Sequence, residues 1–357
     1  MKIGLIIYGR LDTLSGGYLY DRKLVEHLQA HGDTVELISL PWQGYGRSLM
    51  HNVWFALQEQ LRQAEFDILL QDELNHPSLF WLNKKLRGQI DYPIISIVHH
   101  LRCSEARPRW QNQLYRLVER RYLASVDGFI FNSQTTRQVV QSLIGDGQPH
   151  IVALPAGNRF PASLTAAQIE ARVHKSGPLR LLFVGNLIPR KGLHNLLEAV
   201  AQLPQSDWQL EVVGDTAVNP RYTKRIQQTI TKQNLSSNVT LHGALNDDAL
   251  AQKMVLSDVL VVPSSYEGYG IVYLEGMGFG LPAIAGKGGA AHEIITEGVD
   301  GFLVGDGETA VLTQHLHALH QNRALLSQMS LAAHARFQTH PTWQQSMGQI
   351  HKYLHRF

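Results

Sequence analysis

Short apolar runs alternate with longer segments of mixed polarity along the first part of the chain. The runs 3–8 and 34–40 have the length and β-branched content of strands, whereas residues 18–30 carry apolar side chains at helical spacing. Further strands are predicted at 67–71, 94–99 and 128–132. Repeated strand–helix units of this kind predict a parallel sheet with helices on both faces.

A second series of strands begins near residue 179. Because a chain of 357 residues exceeds the usual size of one hydrophobic core, the two series predict two domains, 1–160 and 179–340, joined by a linker at 161–178. The segment 341–357 carries apolar side chains at helical spacing and is predicted to be a helix that packs back towards the N-terminal domain. The strands of the second series are predicted at 179–184, 208–213, 239–241, 259–262 and 282–285.

The composition is that of an ordinary globular enzyme, with 44% hydrophobic and 17% charged residues. A formal net charge of +2 gives no sign of a nucleic-acid partner. Cys103 is the only cysteine, so an internal disulfide and a thiolate metal cluster are excluded, which fits a reducing cytoplasm. The first apolar run is too short for a signal sequence, and no run approaches the ~18 apolar residues of a spanning helix. We therefore expect a cytoplasmic protein.

The most informative motif runs from Pro263 to Gly278 and directly follows a strand of valines and leucines. It places Glu267 and Glu275 eight positions apart, with Gly268, Tyr269 and Gly270 directly after the first glutamate. The glycines allow the backbone to approach a ligand closely, and the helix that follows aims unpaired amides at an anion. This pattern predicts a phosphate-binding loop in which the two carboxylates meet different parts of one ligand.

This motif resembles the signature of retaining glycosyltransferase family 4. In that signature a strand is followed by Pro-Ser, then by Glu-Gly-aromatic-Gly, and a second glutamate follows the first after seven further residues. The resemblance implies a GT-B fold, in which two doubly wound Rossmann-like parallel-sheet domains face each other across a cleft. It also implies that Glu267 contacts the hydroxyls of the donor sugar and that Glu275 holds the ribose of the nucleotide. Without this resemblance, the alternative interpretation is that Glu267 and Glu275 are ordinary surface glutamates at a strand–helix turn.

A second strand end carries Gly185, Asn186, Arg190 and Lys191. Adjacent Arg and Lys side chains suit a diphosphate, because together they offset the charge that grows on a leaving nucleotide. In the family that this segment resembles, such basic residues act in place of a metal, and Asn186 stands where Arg is frequent. In isolation the same residues are typical of a solvated helix start.

Three further places resemble the family in order and spacing. Gly214 ends a strand and either shapes the nucleotide site or maintains a turn. Gly16 and Gly17 precede the first long helix and resemble the loop that closes on the donor. His99 ends a strand where the family has a histidine that faces the donor sugar, and His100 stands where Asp is frequent; a structural histidine is the alternative.

Residues 102–121 form a basic amphipathic segment, in which six arginines are interleaved with Trp110, Leu114, Leu117 and Val118. One hypothesis is peripheral contact with an anionic membrane at its inner face or with an acidic acceptor. The other is a solvated helix with one buried face.

Taken together, the sequence predicts a hexosyltransferase that moves a sugar, with retention, from a nucleotide diphosphate donor to a glycan, lipid-linked or small-molecule acceptor. Glu267, His99, Arg190 and Lys191 are the predicted catalytic residues. No metal is expected, because no His-Glu-x-x-His or other ligand spacing is found, and no cofactor is expected beside the donor substrate.

The open alternatives are a GT-B nucleotide-sugar epimerase, a phosphorylase and a non-catalytic sugar- or nucleotide-binding module. A nicotinamide oxidoreductase is disfavoured because no Gly-x-Gly-x-x-Gly follows a predicted strand.

Overall fold

The structure is a computed structural model and describes residues 1–160 and 164–357. The chain forms two compact units. The N-terminal unit comprises Met1–Pro155 together with Pro341–Phe357, and the C-terminal unit comprises Ala156–His340.

The N-terminal unit contains one parallel sheet of six strands, in the order β2-β1-β3-β4-β5-β6. The strands are β1 (Lys2–Tyr8), β2 (Thr34–Leu40), β3 (Ile68–Asp72), β4 (Ile94–Val98), β5 (Gly128–Phe131) and β6 (His150–Val152). The helices are α1 (Gly16–Ala30), α2 (Tyr45–Ser48), α3 (Phe55–Gln63), α4 (His76–Leu79), α5 (Leu82–Leu86), α6 (Arg109–Leu123) and α7 (Gln134–Ile144).

Central strands of this sheet are apolar on both faces because helices cover both sides. In β3, β4 and β5 every residue is buried, and β1 is buried from Ile3 onward. The direction of strand succession reverses between β1 and β3. Ligands of open parallel sheets bind beyond the carboxyl ends of the strands at such a reversal, so the loops after β1, β3 and β4 define the candidate region of this unit.

The C-terminal unit contains a second parallel six-stranded sheet, in the order β12-β11-β10-β7-β8-β9, and reverses between β7 and β10. The strands are β7 (Leu179–Val184), β8 (Trp208–Val213), β9 (Val239–Leu241), β10 (Val259–Val262), β11 (Ala283–Gly286) and β12 (Gly301–Val304). The helices are α8 (Ala166–Val173), α9 (Leu193–Val200), α10 (Pro220–Lys232), α11 (Asp247–Leu256), α12 (Ile271–Gly278), α13 (Thr309–Gln321) and α14 (Arg323–Thr339).

Two parallel doubly wound sheets confirm the predicted fold class. The ten predicted strands are present, with bounds that shift by a residue at some ends. The sequence analysis missed β6 and β12, which are the outermost strands of their sheets on one side. Each is only three or four residues long and half-buried over much of its length, so its apolar pattern is weak.

The segment 161–178 differs from the linker that the sequence suggested. Residues 161–163 lie outside the described part of the chain, but α8 follows them and is an integral helix of the C-terminal unit. Ile169 and Val173 are fully buried, and the Arg172 guanidinium donates hydrogen bonds to the carbonyl oxygens of Phe279 and Gly280 at 2.8 and 2.9 Å. Thr165 caps the helix in a capping box with Gln168.

The last helix, α15 (Trp343–Leu354), belongs to the N-terminal unit and packs on α1. Its side chains Met347, Ile350 and Leu354 are buried. The Trp343 ring meets the Tyr20 ring edge to face, with 5.9 Å between ring centroids. The helical spacing read from the sequence therefore marks the face that contacts α1.

Membrane-spanning helices are not found in the described ranges. None of the helices there combines the length and the apolar composition that crossing a bilayer requires.

Candidate functional site

Two loops flank the point where the strand order of the C-terminal sheet reverses, one after β7 and one after β10. The first ends in a short 3-10 turn, Pro189–Lys191, and Lys191 Nζ donates a hydrogen bond to Glu267 Oε1 in the second loop at 2.6 Å. Arg190 Nη1 donates to the carbonyl oxygen of Tyr266 at 2.6 Å and lies 3.6 Å from Glu267 Oε2. The fold thus joins two loops whose hydrogen-bonded residues are 76 positions apart in sequence.

Glu267 is charged although it is buried. Burial opposes its charge. The charges of Lys191 and Arg190, together with hydrogen bonds from Lys191 and from Ser264 Oγ at 2.5 Å, outweigh the effect of burial and lower the pKa of Glu267 to about 2. Burial likewise lowers the pKa of Lys191, against the attraction of Glu267. The result is a carboxylate held between two cations, with 9% of the Glu267 side chain and 16% of the Lys191 side chain exposed.

Backbone hydrogen bonds fix the loop that carries Glu267. The Ser265 amide donates to the carbonyl oxygen of Arg190 at 2.9 Å, which ties the two loops together. The Glu267 amide donates to the carbonyl oxygen of Gly288 at 3.0 Å, and the Ala290 amide donates to that of Glu267 at 2.9 Å. The glutamate is therefore positioned from both sides before any ligand binds.

Gly268, Tyr269 and Gly270 lead from this loop into α12. Gly270 has a φ of +103°, and a Cβ there would lie 2.4 Å from the Tyr273 ring, so only glycine fits. The Tyr269 side chain is buried, and its hydroxyl lies 3.3 Å from His340 Nε2. A ligand contact by Tyr269 therefore has to come from its backbone, next to the start of α12.

Gly185, Asn186 and Gly214 lie at the same carboxyl edge, at the ends of β7 and β8. A Cβ at Gly214 would lie 1.9 Å from the carbonyl oxygen of Gly185, so glycine at 214 allows the two strand ends to approach each other. The Gly185 amide donates to the carbonyl oxygen of Val213 at 2.9 Å. Asn186 is half-buried beside this contact.

Glu275 lies in the second turn of α12 and pairs with a residue that the sequence analysis did not single out. Its Oε1 is 3.2 Å from Nε of Arg159, which also lies 3.8 Å from Asp247 Oδ2. Burial raises the pKa of Glu275 to about 6, against the attraction of Arg159. The structure therefore places Glu275 in a second charged cluster, separate from the contacts that join Glu267 to Lys191 and Arg190.

In the N-terminal unit, Gly16 and Gly17 are the first residues of α1, and the Ser15 side chain caps the helix by accepting a hydrogen bond from the Tyr18 amide. A Cβ at Gly17 would lie 3.1 Å from Cδ2 of His99. The start of α1 and the end of β4 thus meet at this position, within one unit.

His99 Nε2 lies 3.0 Å from Asp21 Oδ1. Asp72 is also close, because a carboxylate oxygen from each aspartate and a ring nitrogen of His99 lie within 4.8 Å of one another. Burial lowers the pKa of His99. This effect is outweighed by the charge of Asp21, the hydrogen bond between His99 and Asp21, and the charge of Asp72, which together raise the pKa of His99 to about 9. His99 is therefore an imidazolium at neutral pH. His100 points elsewhere, with its Nε2 3.1 Å from Glu105 Oε1.

The described residues contain three groups of histidines and carboxylates compact enough to hold a metal. In the first, Asp21, Asp72 and His99, a metal would have to displace the proton that Asp21 stabilises on the imidazole. In the second, burial raises the pKa of Glu73 to about 8 and lowers that of His76 to about 4, so both are neutral in the interior beside Glu119. The third group is His27, His31 and His351.

Asp21, Asp72, Arg159 and Ser264 are the contributors that sequence reasoning missed. Asp21 interrupts the apolar stripe of α1, and Asp72 ends a buried strand, so both left a signal in the pattern. Ser264 is part of the Pro-Ser motif but received no role. Arg159 lies in an irregular stretch, and only the folded chain brings it to Glu275.

Two family descriptions match the chain. "Glycosyl transferases group 1" matches residues 165–336, and "Glycosyltransferase Family 4" matches residues 20–157. Together the two matches cover most of the chain.

Among curated relatives, an uncharacterised glycosyltransferase of Methanocaldococcus jannaschii is 33% identical over 144 residues, which is 40% of this chain and 39% of the relative. A phosphatidyl-myo-inositol mannosyltransferase of Mycobacterium leprae is 25% identical over 91% of this chain and 89% of its own length. The first match thus spans less than half of the relative, and the second spans nearly all of it.

Among solved structures, sucrose-phosphate synthase from Thermosynechococcus elongatus superposes with a TM-score of 0.83 at 21% identity, covering 99% of this chain and 98% of that one. Anabaena HepE in complex with UDP-glucose gives a TM-score of 0.77 at 20% identity over the full length of both chains. With the two sheets described above, these likenesses identify the fold as that of the GT-B glycosyltransferases. The chain belongs to glycosyltransferase family 4.

The ion pair between Asp21 and His99 predicts a change in the titration of the histidine. Asp21→Asn removes the main charge that favours the imidazolium, so the pKa of His99 should fall from about 9 towards its ordinary range. Proton–carbon NMR of the His99 Cε1 resonance across pH 5 to 10 measures this. Glu105→Gln, which faces His100, is the matched control and should leave His99 unchanged; an unshifted His99 in Asp21→Asn would contradict the assignment.

Proposed function

We propose that this chain transfers a hexosyl group from a nucleotide diphosphate sugar to a hydroxyl acceptor, with retention of anomeric configuration and without a catalytic metal. The observation that carries the proposal is the cluster of Lys191, Arg190 and Glu267 at the strand reversal of the C-terminal sheet. Two cations and a fixed carboxylate at this edge suit a diphosphate on one side and sugar hydroxyls on the other.

In the proposed reaction, the bond between the anomeric carbon and the phosphate oxygen breaks while the acceptor oxygen attacks from the same face. The acceptor proton passes to the departing phosphate oxygen, so no protein carboxylate serves as a nucleophile. Arg190 and Lys191 stabilise the negative charge that grows on the leaving diphosphate. Glu267, ionised with a pKa of about 2, accepts hydrogen bonds from the sugar hydroxyls and orients the ring.

Glu275 is assigned to the ribose hydroxyls of the nucleotide. Its pairing with Arg159 supports this role, because it holds a buried carboxylate in one orientation on α12. The solved complex of HepE with UDP-glucose supports a nucleotide sugar as the class of donor. His99 is assigned to the donor sugar, as the family resemblance implies, and its contact with Asp21 through Nε2 supports this role because it fixes the orientation of the ring.

The acceptor is proposed to be a hydroxyl of a growing glycan, a glycolipid or a small glycoside. The mannosyltransferase among the relatives supports hexosyl transfer, and that enzyme is named for an inositol lipid. An epimerase would interconvert donors without an acceptor, a phosphorylase would need inorganic phosphate, and a binding module would release nothing. Release of nucleoside diphosphate from a donor panel with candidate acceptors, and NMR assignment of the product anomer, distinguish these functions.

The two glutamates predict different defects. Glu267→Gln should lower turnover by about two orders of magnitude while leaving nucleoside diphosphate affinity nearly intact, because its proposed contact is to the sugar. Glu275→Gln should weaken nucleoside diphosphate binding tenfold or more, about 1.4 kcal/mol, since a charge-assisted hydrogen bond is lost. Steady-state kinetics and calorimetric titration with the nucleoside diphosphate separate the two effects.

The exposed Glu170 on α8 gives the matched control, Glu170→Gln, which should change neither property. Thermal unfolding confirms that each variant is folded, because Glu267→Gln leaves Lys191 without its charged partner. Equal loss of nucleoside diphosphate affinity in the Glu267 and Glu275 variants would contradict the division of roles.

The cationic pair predicts metal-independent turnover. Arg190→Ala and Lys191→Ala should each slow transfer by roughly a hundredfold, about 3 kcal/mol, and affect turnover more than donor affinity, because the charge they meet grows as the bond breaks. Lys224→Ala, at an exposed position on α10, is the control. Chelator should leave turnover intact. Activity that chelator abolishes and magnesium or manganese restores would contradict the proposal.

A peripheral contact with an anionic membrane at its inner face is proposed for α6. Its apolar side chains Trp110, Leu114 and Leu117 are 62%, 55% and 49% exposed, whereas the face that packs inward carries Glu119, Tyr122 and Leu123. The helix does have one buried face, as the solvated-helix hypothesis states, but these three apolar side chains lie outside it. Exposed arginines border the outward face, at positions 109, 116, 120 and 121.

This surface predicts salt-sensitive binding to acidic vesicles. Liposome co-sedimentation should require anionic lipid and fade with salt, because exposed charges are screened within ~10 Å at 0.1 M ionic strength. Replacing Arg116, Arg120 and Arg121 with Gln should abolish it. Replacing Arg221, Lys224 and Arg225 of α10 with Gln removes the same three charges from another exposed helix and should have no effect. Absence of binding to acidic vesicles at low salt would leave α6 as an ordinary surface helix.

A further inference from the structure

Four histidines gather where α15 lies against the end of α1. His27 lies in the last turn of α1 and His31 follows four residues later, at the end of the helix. His351 and His355 have the same spacing at the end of α15. Each pair is visible in the sequence as His-x3-His, which the sequence analysis passed over when it found no ligand spacing. Only the packing of α15 on α1 brings the two pairs together.

The imidazoles are close enough to share one ion. Ligand nitrogens of His27, His31 and His351 lie within 4.8 Å of one another, and the rings of His27 and His31 stack with centroids 4.1 Å apart. His355 Nε2 lies 3.2 Å from His351 Nε2. Two imidazole nitrogens on one tetrahedral zinc lie about 3.3 Å apart, given Zn–N bonds near 2.0–2.1 Å. Small side-chain rotations therefore suffice to form the site.

Neighbouring groups orient these rings. His31 Nδ1 lies 2.7 Å from the carbonyl oxygen of His27, which fixes the tautomer that leaves Nε2 as an acceptor. Asp33 follows α1 closely in sequence. Its Oδ2 lies 2.8 Å from His351 Nε2, and its Oδ1 accepts a hydrogen bond from the N-terminal amino group.

We propose that His27, His31 and His351 bind one divalent transition-metal ion, with His355, Asp33 or water as the fourth ligand. Three imidazoles favour Zn²⁺, Cu²⁺ or Ni²⁺ over Mg²⁺ or Ca²⁺, which prefer oxygen ligands. Because the ligands come from both α1 and α15, the ion fastens the C-terminal helix to the N-terminal unit. The site is structural and contains none of the residues proposed to act in glycosyl transfer.

The test is calorimetric titration of the full chain with Zn²⁺ after chelator treatment and removal of the chelator. One ion should bind per chain, and its addition should raise the temperature of thermal unfolding. His31→Gln, at an exposed position, and His27→Gln should each weaken binding at least tenfold, about 1.4 kcal/mol. His317→Gln, an exposed histidine on α13, is the matched control for adventitious binding.

Magnesium should produce no stabilisation, because the donors are nitrogens. Zinc affinity that the His27 and His31 variants leave unchanged, or that His317→Gln lowers equally, would overturn the proposal. Turnover below the unfolding temperature should be the same with and without zinc, so this test is independent of the metal-free catalysis proposed above.

Discussion

The buried ion pair between Lys191 and Glu267 is the constraint on which the candidate site depends. Each charge alone would be costly at this depth, and removing one partner of such a pair typically costs 3–5 kcal/mol. Together, with Arg190 beside them, they keep the carboxylate ionised and draw the loop after β7 onto the loop after β10. These loops flank the strand reversal, so the same contact that stabilises the fold also shapes a place for an anion.

Backbone contacts continue this arrangement around the edge of the C-terminal sheet. The Glu267 loop is bound on one side by the Arg190 carbonyl and on the other by Gly288 and Ala290. Glycine at 214 lets β8 approach β7, and glycine at 270 starts α12 in a left-handed conformation. A Cβ at 214 would meet the carbonyl oxygen of Gly185, and a Cβ at 270 would meet the Tyr273 ring, so this edge of the sheet requires glycine at both positions.

The N-terminal unit handles buried charge differently. His99 is a cation between Asp21 and Asp72, and burial with the neighbouring charge of Asp21 raises the pKa of Asp72 to about 7. Deeper in the unit, Glu73 and His76 are neutral. In this unit burial alone leaves a group neutral, as in Glu73, and a group keeps its charge where an opposite charge outweighs burial, as Asp21 does for His99.

The sequence alone determined the parallel α/β architecture, ten of the strands, the last helix and the family, because apolar periodicity and a glycine-rich motif are local properties of the chain. It also named Glu267, Arg190 and Lys191 from their positions at strand ends. The edge strands β6 and β12, the helix α8 within 161–178 and the outward apolar face of α6 were decided by the tertiary structure. The tertiary structure also decided three contacts, those of Arg159 with Glu275, Asp21 with His99 and His351 with His27. Each of these depends on which elements come into contact over long sequence separations, and a one-dimensional pattern does not specify those contacts.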